Sequence, residues 1–254
     1  MLHHKSIKTL CALFFLMLVG ACNPLYYAPV SHTIPLFTEK GELRINTSVG
    51  VGDRLKNRAD ASLAFSISDH FAVFNAYTRG WNNAASWGES LEVAGGYYTS
   101  YKQRLVFELY GGIGVGQGTH FTKESRDQGN GEHKDGDVRY KWSFSRYFIQ
   151  PNIGYVWKYL SVGVSSKFVF LNFNPLDTQD AVTASEWLKG APGTTIYPMF
   201  EPALVLRSGY KRVFGQIQLG IASNWGSKNL HYDRIYLSTG IYIVIDKLIP
   251  GSTN

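Results

Sequence analysis

Residues 231–246 read HYDRIYLSTGIYIVID. Ile235, Leu237, Thr239, Ile241, Ile243 and Ile245 share one parity, and Arg234, Tyr236, Ser238, Gly240 and Tyr242 share the other. Successive side chains of a β-strand point to opposite faces, so this stretch predicts a strand with one apolar face and one polar or small face. The pattern recurs at 212–224, where Val213, Ile217, Leu219 and Ile221 alternate with Gln216, Gln218, Gly220 and Asn224. It recurs again at 103–118, where Leu105, Phe107, Leu109, Ile113 and Val115 face away from Arg104, Glu108, Tyr110 and four glycines. Those glycines do not form a nucleotide-binding G-x-G-x-x-G; in a strand they keep one face small.

Working outward gives ten candidate strands, at about 43–52, 58–68, 70–81, 88–100, 102–118, 138–156, 158–172, 194–209, 211–224 and 231–246. Most exceed the ~5–6 residues usual in soluble sheets and reach the ~9–11 a tilted membrane strand needs. Pro151, Pro198 and Pro202 fall within strands and predict bulges or ends there. The connections alternate: 53–57, 82–87, 119–137, 173–193 and 225–230 are long, while those near Asp69, Tyr101, Trp157 and Gly209-Tyr210 are very short. Aromatic residues gather at both ends, with Phe71, Tyr97, Tyr98, Tyr101, Tyr155, Trp157, Tyr159 and Tyr210 near the short turns. Trp81, Trp87, Trp142, Trp225 and Tyr232 lie near the long links. Amphipathic rings at two levels are what two membrane interfaces collect.

The start of the chain carries an address. His3, His4, Lys5 and Lys8 precede the ten-residue apolar run Leu10 to Val19. That run is too short for a spanning helix, which needs ~20 residues, and has the length of a secretory signal. Removing Lys5 and Lys8 with it lowers the formal net charge from +6 to +4, and no basic run suggests nucleic acid. Cys11 and Cys22 are the only cysteines; with Cys11 lost in the signal, no intrachain disulfide is possible.

The box Val19-Gly20-Ala21-Cys22 resembles the lipobox of bacterial lipoproteins. That resemblance implies cleavage before Cys22 and acylation of its thiol, palmitate included. The chain as a whole resembles the small outer-membrane β-barrels of Gram-negative bacteria, over about 43–246. The resemblance implies an all-β, antiparallel up-and-down transmembrane barrel of about ten strands, with short turns in the periplasm and longer links outside. The expected organisation is a lipoprotein signal peptide at 1–21, a lipidated linker at 22–42, the barrel at 43–246 and a tail at 247–254. An even strand count puts both termini in the periplasm, with the lipid on Cys22 in the periplasmic leaflet of the outer membrane.

Parity assigns Arg44, Arg79, Arg104, Glu108, Arg146, Lys167, Glu201, Arg207 and Arg234 to the lumen, with Tyr77, Tyr110, Tyr236 and Tyr242. Buried charges demand partners, so a network of ion pairs across the lumen is expected. Eight strands leave room only for side chains, and ten lie near that filled end, so the charges read as a plug rather than an ion path. The segment 119–137 holds five acids, three lysine or arginine residues and two histidines, but lacks the ordered calcium-loop pattern and reads as a solvated loop. Residues 177–190 read as a short helix capped by Asp177 and ended by Gly190.

These readings predict a lipid-anchored, non-catalytic outer-membrane barrel with a structural or binding role or limited solute passage. No metal site and no cofactor is expected; the partner is outer-membrane lipid, with no protein partner or small ligand named. One alternative is a barrel enzyme, a lipid-modifying hydrolase or protease, using His120, His133 or His231 with Asp127, Asp135 or Asp233 at the rim; G-x-S-x-G is absent. The other is a soluble periplasmic barrel that binds an apolar ligand.

Overall fold

The computed structural model describes residues 25–83, 86–127, 133–174, 177–179, 195–226 and 230–245, with side chains described outside 121–138 and 177–179. The strands are β1 (Leu43–Gly52), β2 (Asn57–Ser66), β3 (Phe71–Asn83), β4 (Ser86–Tyr101), β5 (Leu105–Asp127), β6 (His133–Val156), β7 (Leu160–Phe173), β9 (Ile196–Tyr210), β10 (Val213–Ile221) and β12 (Ile235–Ile245). Two short pieces, β8 (Asp177–Gln179) and β11 (Ser223–Asn224), pair antiparallel with β6 and β9. The ten long strands pair antiparallel in chain order, and β12 joins both β10 and β1, so the sheet closes. The all-β up-and-down barrel expected from alternation is the fold. Closure gives every long strand a neighbour on each side within the barrel wall.

The two faces explain why these residues form these strands. Val93, Ile113, Ile149, Leu204, Leu219 and Ile241 point outward and are 41–56% exposed. The alternate positions point inward: Tyr110, Arg146 and Gln218 are each 0% exposed. An apolar outer face thus surrounds an interior that mixes buried charges with an aromatic cluster around Phe74, Phe144, Phe148 and Phe173. Phe71, Tyr97, Tyr101, Trp157, Tyr159 and Tyr210 ring the short-turn end on the outside. Tyr98 and Trp142, expected at the outer interfaces, turn inward and are buried, because their parity is the lumenal one.

Three sequence expectations are corrected and one is met in part. The prolines make no bulge, and Pro151 opposite Leu109, Pro198 opposite Phe170 and Pro202 opposite Ser166 keep the register on one edge. On the other edge the ladder is interrupted, as a missing donor requires: β6–β7 pairing skips Gln150 and Pro151, and the pairing of β9 passes from β10 to β11 across Glu201 and Pro202. The segment 119–137 is mostly not loop; β5 and β6 run on as a paired ribbon, Thr119↔Lys141 through Asp127↔His133, well past the end of β4. The link at 82–87 is likewise a tight hairpin, with Asn83 opposite Ser86, so long and short links do not alternate strictly by residue count. Asp177–Gln179, expected to begin a helix, pairs with Arg139–Lys141 of β6, and 180–190 lie outside the described residues.

The turns at the opposite end are tight. Lys102 and Gln103 both adopt positive φ (51° and 54°) between Tyr101 and Arg104, the geometry of a primed hairpin turn that matches strand twist.

Candidate functional site in the lumen

Residues 25–37, LYYAPVSHTIPLF, contain no Asp, Glu, Lys or Arg. The expected linker is instead a thread through the barrel. Tyr26, Tyr27, Val30, His32, Ile34 and Phe37 are each at most 3% exposed. The Tyr26 N–H donates to the His231 carbonyl, and the Asp233 N–H to the Tyr27 carbonyl, so one end lies at the long-link mouth. Tyr26 also packs edge-on against Trp142, ring centroids 5.3 Å apart. At the other end the Thr38 N–H and hydroxyl donate to Glu42, and the Gly41 N–H donates to the Ser66 carbonyl beside the turn before β3.

An extended backbone exposes donors and acceptors that cannot stay unpaired when buried. The wall supplies partners. Arg58 Nη2 donates to the Pro29 carbonyl at 2.9 Å, Gln218 to His32 at 3.1 Å, Gln150 to Thr33 at 2.7 Å, Arg207 to Ile34 at 2.7 Å and the Tyr242 hydroxyl to Pro35 at 2.6 Å. In the other direction the Phe37 N–H donates to Glu108 Oε1 at 3.1 Å and the Ser31 N–H to Thr78 Oγ1 at 3.3 Å. His32 Nδ1 lies 2.7 Å from Ser165 Oγ. Glycines make room: a Cβ on Gly154 would collide with Leu36, whose own φ of 55° bends the thread beside it. Along β5, Gly112, Gly114, Gly116 and Gly118 each face a large β6 side chain, Phe148, Arg146, Phe144 and Trp142, which lie over the space a Cβ would take.

Behind the thread sits a compact charge network. Lys167 Nζ is 2.7 Å from Glu92 Oε1, Arg146 Nη2 is 3.6 Å from Glu92 Oε2 and 3.4 Å from Glu201 Oε2, and all four side chains are 0% exposed. The Tyr27 hydroxyl donates to Glu201 Oε1 at 2.5 Å, tying the thread to the network. Two acids and two bases balance, as low-dielectric burial requires. A second pair, Arg58–Asp60 at 2.9 Å, is capped by Tyr236, whose ring centroid lies 4.1 Å from the guanidinium. Arg207 likewise lies over Tyr242 at 3.7 Å.

Of the nine charges assigned to the lumen, the structure places Arg44, Glu108, Arg146, Lys167, Glu201 and Arg207 inside. It places Arg79, Arg104 and Arg234 elsewhere. Arg79 points outward near the long-link rim, 5.3 Å over Trp87, and Thr78 takes the lumenal position. Arg104 is in the exposed turn before β5. Arg234 precedes β12 and is 62% exposed in its pair with Asp53. At these strand ends the exposed outer face also carries charge, so parity no longer sorts charges there. Tyr77 also points out, hydrogen bonded to Glu89 at 2.8 Å. Glu42, Arg58, Asp60 and Glu92 are buried charges not assigned to the network from sequence. Parity alone would have found Arg58, Asp60 and Glu92. The thread had its own signal, thirteen residues without a charge in what should be a solvated linker.

At the long-link mouth Asp233 is buried and accepts from the Arg54 N–H at 2.8 Å. Burial, then the hydrogen bond shared with Asp53, pushes its carboxyl up to about 7. Burial alone would raise Asp53 too, but hydrogen bonds from Asp233 and the Arg234 and Ile235 N–H groups outweigh it and hold Asp53 low. Of the rim residues considered for catalysis, Asp233 is thus committed to structure, and His231 stacks on Tyr26 with centroids 6.5 Å apart. The side chains of Asp127, His133 and Asp135 lie outside the described residues, as does Cys22. Among the described residues no group of His, Cys, Asp or Glu could hold a metal ion.

No protein-family model matches this chain, and no curated protein sequence matches it.

Proposed function

We propose that this protein is a lipid-anchored outer-membrane barrel, non-catalytic, whose lumen is sealed by its own N-terminal segment, and that it serves as a structural or binding scaffold. One observation carries the reading. The thread and the charges it touches fill the space through which solute would move, with His32, Ile34 and Phe37 at 0–3% exposure. Limited passage then requires rearrangement of the thread. The continuous apolar girdle and the exposed aromatic ring at the short turns support lipid as the surrounding medium. A soluble barrel for an apolar ligand needs an empty apolar lumen, and this lumen is charged and occupied.

Planar-bilayer recording of the full-length protein tests the seal. The expected result is no stable conductance at moderate voltage; a large, steady conductance in the wild type would make it a pore. Folding into membrane is checked by heat-modifiable gel mobility, and acylation by labelled palmitate that tags wild type but spares Cys22→Ser.

A further inference from the structure

We propose that the thread carries the Cys22 lipid to the long-link mouth of the barrel, so that the acyl chains anchor in the outer, cell-surface leaflet rather than the periplasmic one. The inference rests on the reading of this chain as an acylated membrane barrel, and it reverses the leaflet expected from strand count alone.

Strand parity fixes where β1 begins, not where the chain before it goes. Leu43 opposes Ile245 and Phe65, so β1 starts at the short-turn end. From Glu42 the chain turns back into the lumen instead of leaving it. The Phe37 N–H meets Glu108 on β5, and the Pro35 carbonyl meets Tyr242 on β12. Six residues upstream of each, Pro29 and Ser31 meet Arg58 and Thr78 on β2 and β3. Tyr26 and Tyr27 reach His231 and Asp233 in the link that opens into β12 at its long-link end. Tyr27 also forms a parallel bridge with Tyr232. The thread therefore crosses the whole barrel, and its upstream end is at the long-link mouth.

Chain length then decides the leaflet. Cys22 is three residues before Leu25. Three residues reach at most ~11 Å. The hydrocarbon core is ~30 Å thick, so a lipid on Cys22 cannot return to the short-turn leaflet. Passing back through the lumen is also barred, because the thread and the charge network occupy it. The position suits an amphiphilic anchor: Trp225, 62% exposed, stacks on Phe200 of β9 at 5.1 Å, an outward aromatic step near that rim. The chain would thus be held at the cell surface by the lipid at one mouth, with the start of β1 and the end of β12 at the other.

An impermeant maleimide on intact cells tests this, with three single additions to the wild-type chain: Pro24→Cys, Lys40→Cys and Gly131→Cys. An acylated Cys22 is a thioether and stays silent, so any labelling of the unmodified protein reports failed acylation. Each variant is first checked for heat-modifiable mobility. The expected result is that Pro24→Cys and Gly131→Cys label equally before and after lysis, and Lys40→Cys only after lysis. Gly131→Cys accessible with Pro24→Cys hidden would overturn the surface anchor while leaving the barrel in place. Gly131→Cys hidden with Lys40→Cys accessible would mean an inverted barrel, overturning the orientation and the leaflet together. Absence of palmitate on Cys22 would remove the lipid, and the labelling pattern would then report the thread alone.

Discussion

Replacing Lys167 with methionine should cost more than any surface change in this molecule, and the cost should largely vanish when Glu92 is replaced too. The two charges lie 2.7 Å apart and are fully buried. At an effective dielectric of ~20 that pair attracts by about 6 kcal/mol, and desolvation of both ions offsets much of it. Removing one partner leaves the other buried and short of a counter-charge: Glu92 keeps only Arg146, at 3.6 Å, which Glu201 already shares at 3.4 Å. Lys167→Met alone and Glu92→Leu alone should therefore each destabilise by about 3–5 kcal/mol. The double variant leaves Arg146 and Glu201 as a neutral pair, so it should lie within ~1 kcal/mol of wild type, giving a coupling of roughly 5–9 kcal/mol. Equilibrium urea unfolding in lipid vesicles, followed by tryptophan fluorescence, measures all four corners of the cycle. If the double variant costs the sum of the singles, the pair is not coupled and the account of the lumen as a balanced network is wrong.

Gly116→Val should destabilise by at least ~1–3 kcal/mol, since a Cβ there runs into the Phe144 ring, and Phe144→Ala in the same chain should recover part of the loss in the same titration. Leu219→Arg, on the outward face, should cost ~2–4 kcal/mol in vesicles if it lies near the bilayer midplane, more than Gln218→Leu, and little in a denaturant titration without lipid. The mouth should be pH-sensitive. Asp233 is raised to about 7 by burial and by Asp53, so the folded state holds a proton the unfolded chain releases at ordinary carboxylate pH. Stability from this group is full below its unfolded value and is lost as pH rises through about 7. The lowered Asp53 acts oppositely and only in more acidic solution. Stability from urea titration in vesicles should fall between ordinary carboxylate pH and about 7, and Asp233→Asn should remove that fall.

The wall was legible because its cause is local. A strand with an apolar outer face and a small or polar lumenal face must alternate residue by residue, and Leu105 to Val115 does so without reference to anything distant. The ends were less legible for the same reason. Past the girdle both faces meet water or loops, so Arg79 and Arg234 could not be sorted by parity. The β5–β6 ribbon, rich in charge at 123–137, looked like a loop because its ladder is held by backbone pairing rather than by side-chain pattern. The thread is set by partners far along the chain: His32 meets Ser165 and Gln218, Tyr27 meets Glu201. Nothing in 25–37 repeats with a period, and only its lack of charge marks it as buried.

The thread also constrains the order in which this molecule can be made. The wall closes when Leu43 meets Ile245, two residues 202 positions apart (245 − 43), a costly, late contact for any chain. Once that seam is shut, a segment with bulky Tyr26 and Tyr27 at its leading end has no gap to enter. The ring must therefore be assembled around the segment synthesised before it. Successive carbonyls from His32 to Pro35 offer acceptors to β10, β6, β9 and β12 in turn. The N-terminal residues would then act as a mandrel on which later strands are collected, and changes there should slow ring closure before they weaken the finished barrel.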